Sequence, residues 1–152
     1  MVTLVHLVRH PTVNQYPEQR LNMSRRIRGN ELIWSRERCT GCGTCAKACP
    51  QGAIELVTST VFKDNKYNVE TYRVDTGYCI QCGLCVEACP FDAVFMGYSY
   101  ERAKYRRNDL VQTNDELLES PARPVSGYFH PEIAKGLPDQ TLLVEKIVEK
   151  RK

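Results

Sequence analysis

The chain has 152 residues, 26% of them charged and 42% hydrophobic, with a formal net charge of +3. That length and balance describe one globular domain with extensions and exclude a disordered or fibrous chain. The longest apolar stretch, MVTLVHLV at the start, is less than half of a bilayer-spanning helix and no small-residue cleavage site follows it, so neither a membrane span nor a secretory signal is expected and the thiols are expected to stay reduced.

Residues 1–38 carry seven Arg against three acids, while residues 39–98 carry four bases against six acids. No run of Lys and Arg interleaved with aromatics continues the basic front, so a nucleic-acid partner is not expected. A solvated flank, or one that faces an acidic partner or lipid headgroups, is expected instead. Residues 1–30 read as a basic N-terminal arm whose VTLVHLVRH forms a short amphipathic helix, residues 31–100 as the core domain, and residues 101–152 as a C-terminal extension with short helices for docking.

The core opens on ELIWS, a strand pattern, and then writes nearly the same line twice. CTGCGTCAKACPQGAIEL from Cys39 and CIQCGLCVEACPFDAVFM from Cys79 match without a gap at eight of eighteen positions and contain all eight cysteines. Each copy reads CxxCxxCxxxCP, a known ligand run of bacterial two-[4Fe-4S] proteins in which the fourth Cys serves the other cluster. Three thiolates at intervals of three let one tight loop wrap three corners of an iron cube, with Gly41, Gly43 and Gly83 bringing the backbone close. Cys45 and Cys49, like Cys85 and Cys89, lie four apart on a helical turn, so the fourth thiolate reaches a second cube. Pro50 and Pro90 end the turn, since neither offers an N–H. The expected ligand sets are Cys39, Cys42, Cys45 and Cys89 for one cluster, and Cys79, Cys82, Cys85 and Cys49 for the other. Structural zinc takes two CxxC pairs without a third Cys at the next interval, and a thiol-redox catalyst needs one exposed pair beside a βαβ pattern, so both fit poorly.

Two clusters imply one-electron traffic, and eight thiolates for eight irons leave no open iron for bond chemistry, so no catalytic residue is expected. A cube of charge 2+ held by four thiolates is net 2−, and two of them take the formal +3 to −1. Neither glycine group forms GxGxxG after a strand, so nicotinamide or flavin chemistry belongs to another chain.

Between the copies, AIELVTSTVF and YNVETYRVD flank a KDNK turn and predict a β-hairpin. ELIWS and AVFMGYS can pair to complete a repeated, pseudo-twofold βαβ unit, and the fold class is a ferredoxin-like α+β core. Trp34, Tyr67, Tyr72, Tyr78, Phe91 and Phe95 are expected to pack the core. Further on, TNDELLES predicts a short helix capped by Thr113 or Asn114, SPARPVSGYFHPE an extended arm that lies on a surface, and DQTLLVEKIVEKRK an amphipathic helix. His6, His10 and His130 lack metal-ligand spacing and are expected on the surface or in packing.

The stretch YPEQRLNMSRRIRGNELIWSRERCTGCGTCAKACPQGAIEL, followed by YRVDTGYCIQCGLCVEACPFDAV and YSYERAKYRRNDLVQTNDELL, resembles subunit I of NADH:quinone oxidoreductase, respiratory complex I, from about Thr12 to Leu118. The resemblance implies an electron-relay subunit with two [4Fe-4S] clusters on the eight Cys, passing electrons from an upstream cluster-bearing subunit toward the terminal cluster beside the quinone site. It implies partners among the terminal-cluster, quinone-site and membrane-anchor subunits. It also implies a peripheral place at the cytoplasmic face of the cell membrane, where the family rests an N-terminal amphipathic helix to which VTLVHLVRH corresponds. Two rival classes share the cofactor: a free two-cluster ferredoxin, against which the basic front speaks, and the equivalent subunit of a membrane-bound hydrogenase or of a ferredoxin- or F420-driven relative.

Overall fold

The computed structural model describes residues 2–9, 13–63, 66–138 and 144–146. They fall into two compact units, Met1–Ser24 with Pro138–Lys152, and Arg25–Leu137. In the smaller unit, helix α1 (Val2–Val8) exposes every side chain, and strand β1 (Gln19–Leu21) pairs antiparallel with β7 (Val144–Lys146). The expected amphipathic tail helix is therefore a strand at Val144–Lys146, and the rest of that stretch lies outside the described residues. Val144, Ile147 and Val148 are β-branched, which weakens helix preference, and β1 offers the backbone of the tail a ladder partner.

The larger unit is built on the duplication. Strand β2 (Leu32–Trp34), helix α2 (Thr44–Ala48) and strand β3 (Ile54–Lys63) recur forty residues later as β4 (Lys66–Asp75), α3 (Leu84–Glu87) and β5 (Val94–Met96). Pairing is crosswise and antiparallel: β2 with β5, with Ile33 opposite Phe95, and β3 with β4 as the expected hairpin. The backbone repeats even where the side chains do not. Left-handed φ angles at Gly41, Gly43 and Gly52 (71°, 72°, 61°) return at Gln81, Gly83 and Asp92 (54°, 83°, 47°). Gln81 and Asp92 thus hold a conformation that L-residues adopt only at a cost, because the loop geometry around them requires it.

Burial follows the strands. Trp34 and Tyr72 are wholly buried and stack at 5.0 Å, and Leu32, Val74, Val86, Val94, Met96 and Leu117 close around them. In β4 both Val69 and Tyr72 are buried, although strict alternation would turn one of them outward. A bulge resolves this: Thr58 and Val57 face Val69 and Thr71, so Glu70 is the extra residue and resets the face. Trp34, Tyr72 and Phe95 thus pack the core as expected, but Tyr67, Tyr78 and Phe91 are exposed. Tyr78 lies beneath the Arg107 guanidinium at 4.7 Å.

Residues 101–137 belong to this unit, and so do residues 25–30. Strand β6 (Val111–Gln112) adds to the edge of β4. Helix α4 (Asn114–Leu117) is capped by Thr113, whose N–H donates to Glu116 at 3.1 Å, and it buries Leu117. The proline-rich arm lies along the free edge of β5, with Tyr98 N–H donating to Pro124 O at 3.0 Å and Ser126 N–H to Met96 O at 2.8 Å. Arg102 reaches back to Glu31, 3.1 Å away, in an ion pair whose carboxylate is 3% exposed. Gly97 makes room for that carboxylate, since a Cβ there would lie 2.2 Å from the Glu31 side chain. We predict that Arg102→Leu costs about 3 kcal/mol in denaturant unfolding by stranding a buried charge, and that adding Glu31→Leu restores most of it; equal losses in single and double variants would contradict the pairing.

Candidate metal centre

All eight cysteines are free thiols, and they stand around two cavities. One, with about 330 Å³ of empty volume, is lined by Cys39, Cys42, Cys45 and Cys89, with Leu56, Tyr72, Phe91, Ala93 and Val94 among its walls. The other, of about 370 Å³, is lined by Cys79, Cys82, Cys85 and Cys49, with Leu32, Ala53, Ile54, Ile80 and Met96. Each cavity therefore draws three thiols from one run and its fourth from the other, and these are the two groups that the spacing predicts. A shift of forty residues carries one lining onto the other, Leu56 onto Met96 and Ala53 onto Ala93.

Local structure explains how four thiols meet. The left-handed residues turn each loop so that successive Cys face inward, and a one-turn helix starts at the second glycine. Cys45 lies on α2 and Cys49 caps its end; α2 packs against α3, so Cys49 and Cys89 each reach the neighbouring cavity. The last sulfur of each run accepts a backbone hydrogen bond, Ala53 N–H to Cys49 Sγ and Ala93 N–H to Cys89 Sγ, both at 3.4 Å. Among the described residues, no three His, Cys, Asp or Glu converge on a point where a single metal ion would sit. The thiols line open volumes suited to a group of several atoms.

The electrostatics also fit a cationic occupant. Burial, then the neighbouring thiols led by Cys79, pushes the Cys85 thiol up to about 12. Burial likewise raises Cys79 and Cys45, in the latter case against a hydrogen bond from Tyr72. Iron in the cavity supplies the positive charge that such sulfurs need to become thiolates at neutral pH. Cys42 differs: burial acts upward, but hydrogen bonds from the Thr44 side chain and backbone and from Thr40 outweigh it, and the thiol lies below its ordinary value. Tyr72 is pushed well above the usual phenol range, by burial and then by Cys45, so its hydroxyl remains a donor. The Thr40 hydroxyl, buried against the same cavity, is a donor that a cluster sulfur would accept from.

Residues outside the Cys runs shape the second site. Arg28 donates to Cys82 O at 3.1 Å and lies over the Tyr128 ring, and the Tyr128 hydroxyl donates to Glu87. No spacing in the sequence pointed to Arg28 or Tyr128. Thr40, Thr44 and Tyr72 did leave a signal, as polar residues aligned with Ile80, Leu84 and Leu32 in the other copy. Of the histidines, His6 is exposed and His10 lies outside the described residues. His130 is held between Asp92 and Glu132, at 3.4 and 3.3 Å, with its ring against Phe95.

The duplicated core with its two four-thiol cavities is that of a 4Fe-4S dicluster domain, and the model of that family matches residues 38–93. Relatives of similar size extend the match over the flanks. NADH-quinone oxidoreductase subunit I 2 of Geobacter metallireducens is 38% identical over 121 residues, 78% of this chain and 92% of that protein. Subunit I of Cytophaga hutchinsonii is 34% identical over 146 residues, 89% of this chain and 81% of its own length. The chain belongs to the NADH-quinone oxidoreductase subunit I family, and its cofactors are two [4Fe-4S] clusters. Its fold is similar, with a TM-score of 0.53 and 24% identity, to a chain of the membrane-bound sulfane sulfur reductase, an archaeal respiratory membrane complex; the match covers 95% of this chain and 73% of that one.

The two central glycines are not equivalent. A Cβ on Gly83 would lie 2.4 Å from the Tyr128 ring, whereas one on Gly43 would meet only Leu56, at 3.8 Å. Both changes strain a left-handed residue by roughly 1–2 kcal/mol, but only the first also displaces Tyr128. Gly83→Ala is therefore expected to lower iron and labile sulfide content more than Gly43→Ala; the reverse order would show that Tyr128 yields freely.

Proposed function

We propose that this chain is an electron-relay subunit of a respiratory NADH:quinone oxidoreductase, with one [4Fe-4S] cluster on Cys39, Cys42, Cys45 and Cys89 and the other on Cys79, Cys82, Cys85 and Cys49. The observation that carries the ligand sets is the exchange of the fourth thiol between the two cavities. When bound, such a cluster accepts and releases one electron at a time. The chain itself holds, orients and shields. Leu32, Ile54 and Met96 at one site, and Leu56, Val94 and Ala93 at the other, keep water from the inner sulfurs. Because Cys45 and Cys49 lie on one helical turn yet serve different sites, α2 and α3 keep the two sites adjacent. The contribution to the enzyme is conduction; both ends of the electron path, the oxidation of NADH and the reduction of quinone, are assigned to partner subunits.

Cys89→Ser tests the ligand sets. It should abolish the EPR signal of the cluster on Cys39, Cys42 and Cys45 and remove about half of the bound iron, leaving the other signal in place. Loss confined to the cluster on Cys79, Cys82 and Cys85 would refute the crossed assignment.

The smaller unit and the family support a place at the membrane surface. Among the described residues no helix is long and apolar enough to cross a membrane. Helix α1 instead exposes Val2, Leu4, Val5, Leu7 and Val8, an apolar surface suited to the interfacial layer of a bilayer on the cytoplasmic side. Leu4→Glu with Leu7→Glu is expected to reduce the fraction that sediments with membranes after gentle lysis. A chain that is wholly soluble before any change would instead favour a diffusible carrier.

A further inference from the structure

The shift of forty residues that superimposes the two linings also shows where they differ. Three positions in the first cavity carry hydroxyls: Thr40, Thr44 and Tyr72. Their counterparts at the second site are Ile80, Leu84 and Leu32, none of which can donate a hydrogen bond. Elsewhere Val94 stands for Ile54 and Leu56 for Met96, while the second lining has Gln51 where the first has Phe91, and adds Gln81.

The hydroxyls are aimed at sulfur. Tyr72 Oη lies 3.8 Å from Cys45 Sγ, and Thr44 Oγ1 lies 3.3 Å from Cys42 Sγ. A ligating thiolate has no proton, so in both pairs the hydroxyl is the donor. Thr40, also on the wall of this cavity, has its hydroxyl turned toward Cys42, whose thiol it lowers. The backbone donors to the last sulfur of each run are the same at both sites, and so do not distinguish them.

We propose that Thr40, Thr44 and Tyr72 are potential-setting residues of the first site, making its cluster easier to reduce than it would be without these three hydroxyls. Reduction adds negative charge that spreads over the sulfurs, and donors aimed at them stabilise the reduced form more than the oxidised one. A hydroxyl replaced by hydrogen or methyl removes that preference without altering shape. The proposal rests on the two-cluster reading above, and its test separates the two. Arg28, hydrogen-bonded beside the second site, is left unchanged in every variant.

The experiment is a potentiometric titration of the anaerobic holoprotein followed by EPR, with the two steps assigned by means of Cys89→Ser. Tyr72→Phe keeps the ring stacked on Trp34 and loses only the hydroxyl. Thr44→Val, at the first position of a half-exposed turn, checks the same idea away from the core. Each is expected to lower the reduced fraction of the first cluster at fixed potential by on the order of threefold to tenfold, with additive effects in the double variant and the second cluster unmoved. Normal iron and sulfide with no shift, or equal shifts of both clusters, would overturn the proposal and leave the relay reading standing. Absence of iron and labile sulfide from the unaltered protein would overturn both. Should Tyr72→Phe fail to assemble the first cluster, Thr44→Val decides.

Discussion

The structure depends on an exchange. Each cavity is completed only when the halves of the duplication lend each other a thiol, Cys49 to one and Cys89 to the other. Pairing of β2 with β5, and not with β3, is the backbone expression of the same exchange, because it sets the end of the second copy beside the start of the first. Two of the core strands are only three residues long, too short to stabilise a sheet on their own. The cofactors therefore bear part of the folding free energy: thiols that burial pushes up become favourable as ligands only with iron between them.

Within that symmetry the side chains diverge in two ways, and each divergence falls on a different site. Around Cys42 and Cys45 the chain supplies hydroxyls at contact distance from sulfur. Around Cys82 it supplies a cover, the Tyr128 ring against Gly83 with Arg28 across it. Duplication gives two equal wells for an electron. On the potential-setting role proposed for Thr40, Thr44 and Tyr72, unequal surroundings give the pair a gradient.

How much of this could be read in the sequence depended on whether a residue's role was local. The cysteines were legible because a cube constrains spacing along a few residues, and the hairpin because β-branched runs flank a turn. The fourth-ligand exchange came with the motif. By contrast, Arg102, Leu117 and Ser126 read as part of a polar extension, yet they contribute to the larger unit through contacts seventy to a hundred residues away, such as Arg102 with Glu31 and Ser126 with Ile27. No window of sequence contains both partners. Tyr67, Tyr78 and Phe91 failed for the opposite reason: aromatic character signals burial in a small core, but near a cofactor mouth these rings stand at the surface. In the tail, apolar residues three and four apart matched a helix, while β1 provided a strand partner that lies more than a hundred residues earlier.

The segment after residue 100 also explains why the chain exceeds a minimal two-cluster core. In the bare duplication β2, β4 and β5 would each have an unpaired edge, which invites unspecific strand addition. Here β6 covers β4, the Pro124–Ser126 stretch covers β5, and Glu119 N–H donates to Trp34 O beside β2 at 2.9 Å. Among the described strands of the core, β3 and the two-residue β6 remain the edges of their sheet. With these backbone groups satisfied internally, recognition by neighbouring subunits passes to side chains. Exposed apolar ones that line the cavities are Ile80 at one and Phe91 at the other. An apolar rim around a buried redox centre excludes water on docking and shortens the electron's path, whereas a paired edge would do neither. Closure of the edges and exposure of the rims thus serve one end, a surface that leaves the mouths of the two sites as its sticky places.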